Sequence, residues 1–338
     1  MNIEIEGLMP FAGSIRRSLR FSLDKKLTIL IGPNMTGKTR IMYSIWFAMY
    51  LLYWTEKEEV NKEGVESLWR EVFMISRDEW FKVGRKEYRV KVSGKKSLVD
   101  VSIAKGGVKR VQVNPLKGRS APPYYLLVPG IGEYYRLVLY GDTGLRVSKS
   151  RAFTYTLNQI MLGIPEGEKV SLGDNIRFFT RQGDVRIERR IPGYKRVVDY
   201  SILTEATGLK NLAFVSFLKH IMSPGSVILL DEPEAGLHPS FLKIMGQMII
   251  SMANKGKVWI STHSPMLLDV INYLAYEGRI SWEDIQVVYI TRNGPPDFKI
   301  TEVRVDEVSA QSPISAEPLL VDSLDILAGI WEKLEVRR

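Results

Sequence analysis

Hydrophobic positions follow two rhythms along the chain. Ile3 and Ile5 alternate with polar residues, and Leu27-Thr28-Ile29-Leu30-Ile31 is nearly all apolar, so both predict strands. From Arg40 to about Glu58 the spacing predicts a helix that is apolar almost all round, and a second helix is expected over 65–76. Between Trp80 and Val113 the period drops to two. Tyr88, Val90 and Val92 form one run, 98–103 a second and 108–113 a third, with turns at Ser93-Gly94 and Gly106-Gly107. This predicts an antiparallel meander. A strand over 124–128, a short helix over 151–162 and a strand over 185–189 follow.

Past residue 204 the character changes. Helix and strand alternate over 208–222, 226–231, 239–253, 257–262 and 265–276, the pattern of βαβ units around a parallel sheet. Two strands at 285–291 and 298–305, a Ser/Pro loop and a helix near 317–335 complete the expectation. The fold class expected is α/β, a mixed sheet flanked by helices with an antiparallel β lobe from the middle of the chain. The helix over 41–54 carries Tyr43, Trp46, Phe47, Tyr50, Tyr53 and Trp54. An apolar helix of this kind is expected in the core rather than on a partner surface.

Composition narrows the class. The 338 residues are 45% hydrophobic and 25% charged, which excludes a disordered tail, a collagen-like repeat and a disulfide-stapled mini-protein. There is no cysteine, so disulfides, thiolate zinc sites and cysteine nucleophiles are excluded. Met1 to Pro10 lacks the basic-then-apolar pattern of a secretory leader. The longest near-continuous apolar run, Ile41 to Trp54, has 14 residues, too few for a membrane span. A cytoplasmic protein without a membrane span is expected.

Charge is unevenly spread. The net charge is +9, and residues 77–119 alone hold 13 basic and 4 acidic side chains. Residues 177–196 hold 7 basic and 2 acidic, so the remainder is net negative. Two basic segments suggest a polyanionic partner such as nucleic acid. The same side chains would also serve as solvated faces that keep strand edges from pairing. On the meander the positives are Arg85, Lys86, Arg89, Lys91, Lys95, Lys96, Lys109 and Arg110, and period two sets Arg89 and Lys91 opposite Tyr88, Val90 and Val92.

The strand at 27–31 runs into Gly32-Pro33-Asn34-Met35-Thr36-Gly37-Lys38-Thr39, a match to the P-loop pattern. Its glycines would let backbone N–H groups cradle a β-phosphate. Lys38 would reach the β/γ oxygens, Thr39 would place a hydroxyl on Mg²⁺, and the following helix would aim its positive end at the same phosphates. Val227-Ile228-Leu229-Leu230-Asp231-Glu232-Pro233 then predicts a buried strand delivering two carboxylates to its carboxyl end. Asp231 would hold the metal and Glu232 would accept the proton of an attacking water. A third strand, Val258 to Thr262, ends in His263-Ser264-Pro265, where an imidazole can reach a γ-phosphate.

In this order GPNMTGKT, VILLDEPEAGLHP and STHSP, the chain resembles the ABC-class P-loop ATPases of the SMC and OLD-like type, often labelled AAA-family ATPase domains. The resemblance covers the first 55 residues and 200–290 well, and 60–200 only in layout. It implies ATP and Mg²⁺ on Lys38, Thr39 and Asp231, Glu232 as base, and His263 as γ-phosphate sensor. It also implies an ATP-dependent head-to-tail homodimer, closed by a Ser-Gly-Gly-like turn from the other subunit. The matching stretch here is Leu203 to Lys210, with Thr207 and Gly208 in place and Ala206 at the serine position. Gln112, Gln159 and Gln182 are the candidates for the family's glutamine loop.

The organisation expected is one ABC-type ATPase domain over 1–338: a P-loop part (1–58), a β-rich lobe and insertion (77–200), the signature, carboxylate and His part (201–305), and a C-terminal loop and helix (306–338). The function expected is ATP hydrolysis linked to nucleic-acid maintenance or defence. The alternatives are a nucleotide-gated binding module with negligible turnover and, disfavoured by the degenerate turn and EAGLHP, a transporter ATPase subunit. Since 44 residues follow Gly294, any nuclease effector is expected on a separate protein.

Overall fold

The computed structural model describes residues 1–8, 18–32, 36–55, 59–81, 87–94, 98–114, 122–128, 131, 135, 150–172, 175–191, 197–293, 300–317 and 319. The chain opens with β1 (Asn2–Glu6), β2 (Leu19–Ser22), β3 (Leu27–Ile31), α1 (Lys38–Trp54), α2 (Lys62–Phe73) and α3 (Arg77–Phe81). The middle holds β4 (Glu87–Ser93), β5 (Leu98–Ala104), β6 (Gly107–Asn114), β7 (Tyr124–Leu127), α4 (Arg151–Gly163), β8 (Val170–Leu172), β9 (Ile176–Arg181), β10 (Asp184–Arg190) and β11 (Val197–Ser201). Then come α5 (Thr207–Ile221), β12 (Val227–Asp231), α6 (Pro239–Ala253), β13 (Lys257–Thr262), α7 (Pro265–Tyr276), β14 (Ile285–Asn293) and β15 (Ile300–Glu307).

The central sheet has six strands in the order β15-β14-β3-β13-β12-β7. Its neighbours are parallel except for β14 and β15 at one edge. β3 and β12 are buried at every position. Burial on both faces is why they read as unbroken apolar runs instead of alternations. Helix α1 packs against β12 and β13, and its Trp46 and Phe47 are fully buried, so the aromatic stripe belongs to the core. The helix starts at Lys38, two residues before the predicted start, with Gly37 as its N-cap in the left-handed region. Helices α6 and α7 start at His238 and Ser264, whose side chains accept from Ser240 N and Leu267 N, each followed by a proline at the first helical position.

A second sheet, β2-β1-β4-β5-β6, is antiparallel throughout. It contains the expected meander and also takes in β1, which pairs with β4 across more than 80 residues of chain. Tyr88, Val90 and Val92 are buried and Arg89 and Lys91 half-buried, as the alternation requires. Trp80 does not open the meander; it lies on α3. There it joins Trp69, Phe73 and Tyr88 in a cluster with ring centroids 5.1–5.9 Å apart.

A third sheet, β11-β10-β9-β8, surrounds the predicted strand at 185–189, and its Phe178 meets Phe217 of α5 at 6.4 Å. Arg85, Lys86, Lys95 and Lys96 lie outside the described residues, as does nearly all of the helix expected over 317–335. No helix among the described residues is long and apolar enough to cross a membrane.

Candidate functional site

Three adjacent parallel strands, β3, β13 and β12, deliver the three motifs from their carboxyl ends. That edge of a parallel sheet is where α/β folds bind ligands. Gly32 follows β3, and a Cβ there would stand 2.2 Å from Ile290 O of β14, so close packing against that strand alone demands the glycine. Pro33, Asn34 and Met35 lie outside the described residues. Thr36 is buried, and Gly37 takes φ 92°, a conformation glycine adopts freely.

Lys38 is buried and its Nζ donates to Gly32 O at 2.7 Å. Burial pushes its ammonium pKa down, while the charges of Asp231, Glu232 and Glu234 pull it back up. Thr39 Oγ1 donates to Asp231 Oδ2 at 2.7 Å, although 192 positions separate the two residues.

Asp231, at the end of β12, is almost fully buried. Its carboxylate also accepts from Tyr125 OH at 2.9 Å and from Ser261 Oγ of β13. Burial, and then the Asp231 charge, pushes the Tyr125 phenol well above its ordinary range, so it stays a neutral donor. Glu232 follows with φ 52°, a left-handed conformation uncommon for a residue with a Cβ and often found at functional sites. Its Oε1 lies 3.6 Å from His263 Nδ1, and both side chains are partly exposed.

Glu234, two residues past Glu232, is buried. Its Oε1 accepts from Thr262 Oγ1 at 2.6 Å and from His263 N at 3.3 Å. Burial pushes its carboxyl pKa up, and the Thr262 hydroxyl opposes that shift. Lys38, Thr39, Asp231, Glu232 and His263 are thus brought to one edge. Thr207 and Gly208 are not. They start α5 against Gly236, and among the described residues neither is hydrogen-bonded to Thr39 or Asp231. Ala206 is the N-cap of α5 and makes no side-chain cap bond. Gln112 accepts from Arg110, and the Gln182 backbone N–H donates to Glu166 in the β9–β10 turn. Among the described residues, neither these two nor Gln159 is hydrogen-bonded to Thr39 or Asp231.

Four residues here carry no motif of their own: Tyr125, Ser261, Thr262 and Glu234. Ser261 and Thr262 lie in the quoted run STHSP, and Glu234 follows the carboxylate pair. Tyr125 comes from a short strand a hundred residues earlier, and only the β7–β12 pairing brings it in.

The donor set fits a hard divalent cation held with a polyphosphate. Asp231 and Thr39 offer a carboxylate and a hydroxyl oxygen side by side, as Mg²⁺ prefers. Among the described residues no group of three acidic, His or Cys side chains forms a full metal cage, and Mg²⁺ shared with phosphates needs none.

The basic segments are less free than their count suggests. Asp100 accepts two hydrogen bonds from Arg89 at 2.9 Å each and pairs with Arg110 at 3.0 Å. Arg177, Arg181, Arg186 and Arg189 likewise lie beside Glu188, Asp199 or Glu205. Lys91 stands across from Glu4 and Asp100 on the neighbouring strands, whereas Lys105 and Lys109 have no such partner among the described residues.

Residues 168–268 match the AAA ATPase domain family. The Smc head domain with a coiled coil and joint from Pyrococcus yayanosii superposes with a TM-score of 0.53 at 12% identity, over 95% of this chain and 99% of that one. An Smc head bound to the C-winged helix domain of ScpA gives 0.50 at 14% identity, over 90% and 97%. No curated protein matches the chain. The fold is that of the SMC head, a mixed α/β architecture.

Proposed function

We propose that this chain, an SMC-head-like P-loop ATPase by fold, binds ATP with Mg²⁺ and hydrolyses it to ADP and phosphate. The observation that carries the proposal is the 2.7 Å hydrogen bond joining Thr39 of the P-loop to Asp231, beside buried Lys38 and within one strand of His263. Lys38 would exchange the Gly32 carbonyl for β/γ-phosphate oxygens. Thr39 and Asp231 would hold Mg²⁺, which supplies charge neutralisation on those oxygens when bound. Glu232 would accept the proton of the water that attacks the γ-phosphorus as the bond to the ADP oxygen breaks. His263 would donate to the γ-phosphate. Catalysis here is mainly positioning and charge neutralisation.

ATP would also join two copies head to tail, each P-loop facing the partner copy's Thr207-Gly208 turn. Support comes from α5, whose first N–H groups meet no side-chain cap and suit an anion. One observation favours a second reading, a nucleotide-gated module with negligible turnover: Ala206 brings no hydroxyl to that turn. The partner served by the cycle is proposed to be nucleic acid, through 77–119 and 177–196, with any effector on a separate protein. Lys105 and Lys109 support the first segment as cations without an ion-pair partner among the described residues, whereas Lys91 stands across from Glu4 and Asp100.

Glu232→Gln tests the central claim. It should bind ATP and Mg²⁺ normally, hydrolyse on the order of 10²-fold more slowly, and accumulate as an ATP-bound dimer in light scattering. Wild-type turnover in this variant removes Glu232 as the base. A monomer with ATP bound removes the head-to-tail arrangement. Negligible phosphate release by the wild type, with and without DNA, selects the gated module.

A further inference from the structure

The segment between β12 and α6 is fastened to strand β13 and to helix α5. Glu232 N donates to Ser261 O at 3.0 Å, which carries the β12–β13 pairing one step past the end of β12. Farther on, Asn211 Nδ2 of α5 donates to Ala235 O at 2.6 Å. Between these two ties stands Glu234, which the hydrolysis outlined above does not use.

Its Oε1 gathers the Thr262 hydroxyl and the His263 amide, and the Thr262 hydroxyl in turn accepts from Ser264 N at 3.0 Å. Two successive residues, Thr262 and His263, are therefore pinned to one carboxyl oxygen, and Ser264 is held to it through the Thr262 hydroxyl. Glu234 Oε2 is buried and makes no hydrogen bond. A carboxyl buried with one oxygen unpaired costs stability, which loop closure alone does not explain. The side chains it stands behind are not tied directly to each other. His263 Nδ1 and Glu232 Oε1, at 3.6 Å, are beyond hydrogen-bond length and partly exposed to water. Their separation is set by the backbones that bear them, and Glu234 joins those backbones.

We propose that Glu234 is a positioning residue, a clamp that holds the His263 loop to the segment bearing Glu232 and so sets the imidazole against the proton acceptor. This rests on the hydrolysis reading. Misplacement of a reacting group by about 1 Å is enough to lower a rate on the order of 10²-fold, and the clamp spans only one residue on either side of the histidine.

The test uses the full chain with Glu234→Gln, Glu234→Ala, His263→Ala and the Glu234→Ala/His263→Ala double variant. Glu234→Gln keeps an oxygen acceptor for both donors, whereas Glu234→Ala removes it. The expected result is a kcat lower by about tenfold or more in Glu234→Ala and within about threefold of wild type in Glu234→Gln. ATP affinity by calorimetry should stay within about twofold in both, a split that a general loss of structure would not produce. The double variant should be no slower than His263→Ala alone, because the clamp acts only through that histidine.

Amide hydrogen exchange over 261–264 in the nucleotide-free protein gives a readout independent of turnover. It should quicken in Glu234→Ala and stay at the wild-type rate in Glu234→Gln. Wild-type turnover in Glu234→Ala, losses that multiply in the double variant, or unchanged exchange in Glu234→Ala would each overturn the clamp. If the wild type binds ATP and releases no phosphate, the hydrolysis reading falls, and exchange alone then decides whether the clamp exists. Should Glu234→Ala fail to fold, Thr262→Val removes one of the two bonds at nearly constant volume, and the same kcat and exchange criteria apply.

Discussion

Gly208 offers a perturbation whose size follows from coordinates. A Cβ at that position would stand 2.4 Å from Gly236 O, 3.0 Å from its carbonyl carbon and 3.1 Å from Leu237 Cα. Carbon–oxygen contacts close no nearer than about 3.3 Å, so Gly208→Ala must drive the 232–237 segment back by roughly 1 Å. All three atoms are backbone, so no rotamer change relieves the clash. Overpacking of this kind costs about 1–3 kcal/mol. At roughly 2–4 °C per kcal/mol, a fall in Tm of several degrees follows. The displaced segment carries Glu232 and Glu234, whereas Lys38 and Thr39 sit on α1. Phosphate release should therefore fall far more than ATP affinity. Gly106→Ala is the control, since its nearest neighbour is the mobile end of Lys109 at 3.5 Å, and stability there should hold or rise slightly. Thermal unfolding and steady-state phosphate release on both variants make the comparison. If Gly208→Ala matches Gly106→Ala in Tm and kcat, the tight approach of α5 to this segment is not a feature of the protein.

Lys38→Ala should abolish or greatly weaken ATP binding, because the loop loses its fixed cation; unchanged affinity by calorimetry would remove the nucleotide site. Asp100 is held below the usual carboxylate range, first by its hydrogen bonds from Arg89 and then by the nearby positive charges. Its stabilisation is fully present above the unfolded carboxyl pKa of about 4 and is lost as pH falls through the lowered folded value. Asp100→Asn should then cost about 1–3 kcal/mol at neutral pH, with the gap from wild type closing in acid. Urea titrations giving a pH-independent gap would contradict this. Charge reversal at Lys105 and Lys109 should weaken low-salt DNA binding in gel shifts and leave ATP affinity intact. A wild-type protein that shifts neither DNA nor RNA, with or without ATP, would leave these lysines as solubility devices.

The second half of the central sheet was legible because its strands are buried on both faces and its helices carry cap signals. The predicted 226–231, 239–253, 257–262 and 265–276 match the observed elements to within a residue. The third sheet was mostly illegible. β8 has only three residues, and β11 reads Val197-Val198-Asp199-Tyr200-Ser201 with no fully buried position, so neither offers a periodic face. The union of β1 with the meander could not be read either, because pairing across that much chain leaves no local mark. At the candidate site, motif spacing located Lys38, Thr39, Asp231, Glu232 and His263. Tyr125 escaped because its role depends on which strand lies beside β12, a fact of sheet order that no local pattern encodes.

That strand also shapes how the molecule would carry force. β7 belongs by sequence to the long insertion between α1 and β12, yet it lies along β12 through four parallel pairs, with its outer N–H at Tyr125 tied to Thr156 of α4. Tension applied to the insertion would thus reach Asp231 through a seam four residues long and the Tyr125 phenol. Slippage of that seam by one step would lift Tyr125 away while the Thr39 and Ser261 hydroxyls stayed in place. The carboxylate would loosen by degrees before the sheet parted, and a pulling experiment anchored in the insertion would register a small yield ahead of the main rupture. Mechanically, the edge strand couples the insertion to Asp231 through the Tyr125 phenol on the carboxylate and the Val128 N–H on the backbone carbonyl.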